Sequence, residues 1–213
     1  MNPIMSRNGE FVEMKGESSQ IIVNEALQYI KNEKDKNQPL FIVIWYGSPH
    51  TPWDADEKDK TLFTELDEKT QNHYGELIAM DKSIGELRKG LRSMKIEKNT
   101  MVWFNSDNGG LRNFGPETVG GLRGSKGKIY EGGLRVPCVI EWPEGIHPKR
   151  ITEYPASTMD IFPTIADIVD LPKSSMNTPI DGINIHKLFT KDIKIRKTPI
   201  PFRYQGKAAI IDN

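Results

Sequence analysis

Leu40-Phe41-Ile42-Val43-Ile44-Trp45-Tyr46 is an unbroken apolar run, opened by Pro39 and closed by Gly47. Such a run predicts a strand buried on both faces, as in a parallel sheet covered by helices. Upstream, Ile22, Ala26, Tyr29 and Ile30 recur at helical spacing after Ser18 and Ser19, either of which can cap a helix. Downstream, Thr70–Met94 carries an apolar stripe through Tyr74, Leu77, Ile84, Leu87 and Leu91, with Glu76, Lys82, Glu86 and Lys89 expected to face water. Two more strands are expected, Thr100–Phe104 and Val136–Trp142, the latter weakened by Pro137. A short helix follows over Asp160–Val169, with Pro163 tolerated in its first turn. This alternation predicts an α/β fold, a mainly parallel sheet flanked by helices. Residues 1–17 are polar and patternless and read as an irregular segment. Residues 18–182 read as the α/β domain portion, and 183–213 as the start of a small C-terminal sheet, with Ile200–Ile211 as a hairpin left unfinished.

The 213 residues carry 29 basic and 29 acidic side chains, so no net charge is available to drive binding to nucleic acid or a membrane surface. No apolar run approaches the roughly 18–20 residues that a membrane span needs. The single cysteine, Cys138, excludes an internal disulfide framework and a cysteine-based zinc cluster; within its predicted strand it reads as a small buried hydrophobe. The N-terminal residues have no apolar signal core, so localisation is left open.

In α/β folds ligands gather beyond the carboxyl ends of strands. Three stretches fall there. Ser106-Asp107-Asn108-Gly109-Gly110 follows a strand and offers a carboxylate and an amide oxygen side by side. Such oxygen donors suit a hard divalent cation, although the same residues also make an ordinary turn. His50 lies in Ser48-Pro49-His50-Thr51-Pro52, where flanking prolines stiffen the backbone. It can transfer a proton or bind an anion, or simply hydrogen-bond the loop backbone. Lys126 lies in Arg123-Gly124-Ser125-Lys126-Gly127-Lys128, within residues 109–133, which hold nine of the 18 glycines. Glycines on both sides let an anion approach closely, whereas scattered loop charge would be merely solvated. No G-x-x-x-x-G-K-[ST] run marks a nucleotide-binding loop. Together a hard cation, an imidazole and an ammonium suit a tetrahedral oxyanion ester, with charge offset by cation and lysine and the histidine protonating the leaving oxygen.

From about Ser18 to Gly182 the sequence resembles the sulfatase family of the alkaline-phosphatase-like superfamily. The matching pieces are PLFIVIWYGSPHTPW, HYGELIAMDKSIGEL, TMVWFNSDNGG, LRGSKGKIYEGGLRVP and STMDIFPTIADI, in family order. The resemblance implies a catalytic, sulfate-binding His50 that meets the leaving oxygen, and a catalytic, sulfate-binding Lys126. It implies Asp107 and Asn108 as two ligands of a calcium ion, with magnesium the alternative. Glu131 and Arg135 would brace the loop, and Asp160 and Pro163 would start a helix. Members of the family carry a nucleophile in a Cys/Ser-x-Pro/Ala-x-Arg motif, oxidised to formylglycine, and an Asp-Asp metal pair; neither occurs in these residues. The chain therefore reads as the middle-to-late portion of a sulfatase, inactive alone, with formylglycine expected in an N-terminal part upstream. The expected partner is a sulfated small molecule or glycan. A phosphate- or phosphonate-ester hydrolase and a catalytically dead domain that binds sulfated glycans are the rival readings.

Overall fold

A computed structural model describes residues 2–36 and 38–213; Met1 and Asn37 lie outside them. The chain folds as two units, Met1–Glu97 and Lys98–Asn213.

The first unit opens with a hairpin where an irregular segment was expected. Strand β1 (Ile4–Arg7) pairs antiparallel with β2 (Glu10–Glu13), Ile4 opposite Glu13 and Arg7 opposite Glu10. The signal lay in the turn. Asn8 and Gly9 both take positive φ, 54° and 91°, and Asn-Gly supplies that conformation readily. Helix α1 (Ser18–Glu33) follows, and its cap is Glu17 rather than a serine. The Glu17 carboxylate accepts from the Ser19 and Gln20 amides at 2.9 and 3.0 Å, placing negative charge at the positive end of the helix.

Leu40–Tyr46 is extended but, among the described residues, pairs with no other strand. Its side chains alternate as a strand's must. Phe41 and Trp45 are 73% and 82% exposed, while Ile42, Ile44 and Tyr46 are half-buried. Burial on both faces is thus not met within this unit. After a short helix α2 (Glu57–Lys60) comes the 26-residue α3 (Glu68–Ser93), capped by Asp67. Helices α1 and α3 pack closely because Gly90 leaves room for the Leu27 side chain.

In the second unit, β3 (Val102–Asn105) pairs with β4 (Cys138–Glu141). The ladder is antiparallel, Val102 opposite Glu141 and Asn105 opposite Cys138, so the α/β alternation is present but the three ladders among the described residues are not parallel. Cys138 is exposed, correcting the buried reading, and so is Val139 on the opposite face of the strand: β3 and β4 form a two-stranded sheet, and both faces at the start of β4 are left uncovered. Between the strands lie the glycine-rich loop and the single-turn helix α4 (Glu131–Leu134). Helix α5 (Ile161–Ile168) follows a turn in which Asp160 accepts from the Ser157 amide at 2.8 Å. Asp160 is fully buried and meets Arg196 in a two-pronged ion pair at 2.7 and 3.0 Å. Strands β5 (Ile200–Tyr204) and β6 (Lys207–Ile211) complete the hairpin that looked unfinished. Gln205 and Gly206 turn it, with φ of 47° and 75°.

Candidate functional site

The tip after β3 is built by backbone hydrogen bonds. Ser106 Oγ donates to the Asn108 carbonyl at 2.8 Å and tightens the turn. The Gly109 amide donates to the Gly133 carbonyl at 3.0 Å, which fixes the tip against α4. The Lys126 amide donates to the Gly110 carbonyl, also at 3.0 Å. Three segments distant in sequence are thereby stitched together, and Asp107, Asn108 and Lys126 belong to one construction. Gly109 is buried, and no larger residue fits, since a Cβ would collide with the Gly132 carbonyl.

The side chains suit the predicted roles in part. Asn108 Nδ2 donates to the Gly109 carbonyl at 3.1 Å, which leaves Oδ1 as an available acceptor. Asp107 is exposed. Two oxygen donors are a partial set for calcium, which takes six to eight. Among the described residues no cluster of three or more His, Cys, Asp or Glu side chains joins them. The donor chemistry fits a hard cation, and the number does not complete its shell. Lys126 is exposed and, among the described residues, enters no ion pair. Arg135 approaches Glu131 at 4.0 Å, in keeping with a bracing role, although both are well exposed and such a pair contributes little.

Beside Lys126 is a shallow cleft lined by Lys128, Tyr130, Tyr204, Gln205 and Lys207. It brings the glycine-rich loop against the turn of the β5–β6 hairpin. Both tyrosines are about half exposed, and the Arg123 guanidinium sits 3.9 Å from the Tyr130 ring centre.

His50 belongs to the first unit. Its Nδ1 lies 2.9 Å from the Thr51 carbonyl oxygen. A carbonyl only accepts, so Nδ1 carries the proton and Nε2 is left for a ligand. The loop beyond it docks on α3. The Trp53 Nε1–H donates to the Pro49 carbonyl at 2.9 Å, and the Trp53 and His73 rings meet edge to face, centres 5.7 Å apart. Glu76 Oε1 accepts from the Asp54 amide at 2.9 Å, and Asn72 Oδ1 from the Ala55 amide at 3.1 Å.

Glu76, expected to face water, is 6% exposed. The reason is the neighbouring stripe of small residues, Gly75, Ala79 and Ser83, which lets the loop lie on this face; a Cβ at Gly75 would press on Ala55. That four-residue spacing was the sequence signal for the docking face, and the apolar stripe concealed it. Burial raises the Glu76 pKa against the opposing hydrogen bond from Asp54, and the charge of Glu17 adds to the rise. Burial also holds the His73 imidazole below its ordinary range, partly offset by the hydrogen bond its ring donates to the Pro49 carbonyl.

These shifts have opposite consequences. Glu76 favours its protonated form in the fold, so its contribution is complete below the ordinary glutamate value and is lost as pH rises through the raised one. His73 favours its neutral ring, so its contribution is present above the ordinary histidine value and is lost as pH falls through the lowered one. The neutral variant Glu76→Gln should therefore gain stability relative to the parent as pH rises from about 4 to about 8. Urea unfolding across that range measures the difference, and a constant gap between the proteins would contradict it.

Comparison with known proteins gives a consistent picture. The family model described as Sulfatase matches residues 2–171. Mouse steryl-sulfatase is 35% identical over 141 residues, covering 62% of this chain and 22% of that protein. Mouse N-acetylgalactosamine-6-sulfatase is 30% identical over 209 residues, covering 96% of this chain and 37% of its own length. The crystal structure of Ps i-CgsB in complex with k-i-k-neocarrahexaose superposes with a TM-score of 0.86 at 27% identity, covering 99% of this chain and 48% of that one. The chain thus spans roughly half or less of each of these relatives.

Proposed function

The chain belongs to the sulfatase family, whose α/β fold it shares, and from that premise we propose that it supplies part of the cation- and sulfate-binding site of a sulfuric ester hydrolase. The observation that carries the proposal is the bond from the Lys126 amide to the Gly110 carbonyl, which ties the sulfate-binding lysine to the tip bearing Asp107 and Asn108. Asp107 and Asn108 would hold a calcium ion, with magnesium the alternative; the ion supplies positive charge toward the sulfate oxygens. Lys126 presents its ammonium group to the same anion. His50, whose Nδ1 is held by the Thr51 carbonyl, keeps Nε2 for a ligand; as the imidazolium it would give up that proton to the leaving oxygen when the ester bond breaks. The family's nucleophile motif is not among these residues, so the chain alone should bind sulfate without hydrolysing an ester.

The ester would be borne on a glycan. The cleft beside Lys126 pairs half-exposed tyrosine faces with two lysines and a glutamine, a combination that stacks on sugar rings and reads acidic substituents. The k-i-k-neocarrahexaose held in the Ps i-CgsB complex points the same way. This cleft also supports the rival reading of a domain that binds sulfated glycans without cleaving them.

Calorimetric titration of the chain tests both. Inorganic sulfate should bind more tightly with calcium present, and Lys126→Ala should weaken it at least tenfold, about 1.4 kcal/mol. Equal sulfate binding by parent and Lys126→Ala would overturn the proposed site. Micromolar binding of a sulfated oligosaccharide, without calcium and unaffected by Asp107→Ala, would favour the binding domain.

A further inference from the structure

Glu76 is a buried carboxyl group that the proposed chemistry does not use. Its Oε1 accepts the Asp54 amide, while Oε2, also buried, has no hydrogen-bond partner among the described residues. One turn earlier, Asn72 spends both ends of its amide: Oδ1 accepts from Ala55, and Nδ2 donates to the Glu68 carbonyl at 3.0 Å. His73, between them, hydrogen-bonds the backbone at Pro49 and packs its ring against Trp53. Further along the same helix, Ser83 Oγ donates to the Tyr46 hydroxyl at 3.3 Å, and Lys82 pairs with the buried Asp59.

These contacts bracket one residue. Tyr46 and Pro49 precede His50, and Trp53, Asp54, Ala55 and Asp59 follow it. Every anchor leads to α3. His50 itself is exposed, and its ring nitrogen Nδ1 meets the adjacent Thr51, the carbonyl at 2.9 Å and the hydroxyl at 3.5 Å. An imidazole on a loop keeps one tautomer and direction only if the carbonyl that fixes it stays in place. Here the chain on either side of that carbonyl is anchored on α3.

We propose that Asn72, His73 and Glu76 are positioning residues for His50: by gripping the backbone at Ala55, Pro49 and Asp54 they fix the loop that presents Nε2. The inference rests on the reading of His50 as a sulfate-binding group. Glu76 acts through its acceptor oxygen, so charge is dispensable. Gln in its place keeps that oxygen, whereas Ala removes it and leaves the Asp54 amide unmatched in a covered site.

The test follows the histidine rings of the 213-residue chain by long-range proton–nitrogen NMR, with the His50 signals assigned from His50→Gln. In the parent, His50 should show the Nδ1–H tautomer. Glu76→Ala and Asn72→Ala should shift it toward the mixture of a free imidazole, and Glu76→Gln should restore the parent pattern. Leu87→Ala, which opens a cavity on the same helix away from the loop, should lower stability and leave the tautomer alone. If Glu76→Ala does not fold, Asn72→Ala decides. Retention of the parent tautomer in the folded alanine variants would overturn the proposal, as would its loss in Leu87→Ala. Adding inorganic sulfate to the parent separates the two readings. A His50 signal that ignores sulfate defeats its role in binding, while the tautomer comparison still decides whether α3 holds it.

Discussion

Arg196→Ala should cost the second unit about 3–5 kcal/mol, the usual consequence of leaving one member of a buried ion pair alone. Arg196 and Asp160 are 2% and 0% exposed. Two parallel bonds join them, and each has further work. Asp160 also accepts the Ser157 and Ile183 amides, both at 2.8 Å, tying the start of α5 to the segment after it. Arg196 Nε donates to the Thr198 carbonyl at 2.5 Å, and Nη1 donates to the Pro155 carbonyl at 3.3 Å. Its own amide and carbonyl are matched by the Asn213 side chain at 2.7 and 3.0 Å. Without the guanidinium, a carboxylate remains where water does not reach. Arg196→Lys should recover only part of the loss, because an ammonium cannot form the two-pronged pair. Urea unfolding followed by tryptophan fluorescence measures it. A loss below about 1 kcal/mol would mean that the pair behaves as a solvated surface bridge.

Gly109→Ala should weaken the proposed cation site at least about tenfold without touching a ligand. The added Cβ would overlap the Gly132 carbonyl and stand 2.9 Å from the Gly133 Cα. Both obstacles are backbone at the start of α4, and no rotamer change relieves them. The tip must lift, breaking the bond from its amide to Gly133. Overpacking of this kind costs about 1–3 kcal/mol in stability. The effect on binding should be larger, since cation ligands tolerate displacements of only about 0.2 Å. Calcium binding by Gly109→Ala should fall as far as in Asp107→Ala, by at least about tenfold, or 1.4 kcal/mol. Circular dichroism should meanwhile report a folded chain. Parent-like calcium affinity in the glycine variant would show that the tip and α4 are not coupled.

The residues from which the site is proposed could be picked out because they stand in short contiguous pieces. Asp107 and Asn108 are neighbours, their place after a strand follows from the preceding apolar run, and Lys126 is marked by its glycines. The α3 helix was legible for a similar reason, as its period repeats over many turns, although its first residue lay at Glu68 and its cap at Asp67. The hairpin at Asn8-Gly9 was readable from the turn alone but was masked because Ile4–Arg7 and Glu10–Glu13 are short and neither alternates polar with apolar residues. Residues whose role depends on a distant partner were missed. Nothing near Arg196 in sequence announces Asp160, 36 positions away. Glu76 looked solvated because charge usually is, and only the loop lying across it made it buried.

By itself, the order of residues determined the alternation of helices and strands, which candidate groups stand on which loops, and the family resemblance, since each depends on local spacing. Tertiary structure alone decided which polar groups left water, that β3 and β4 run antiparallel, and that Cys138 looks outward. Burial and pairing are properties of a side chain's neighbours, and in a folded chain those neighbours come from far along the sequence.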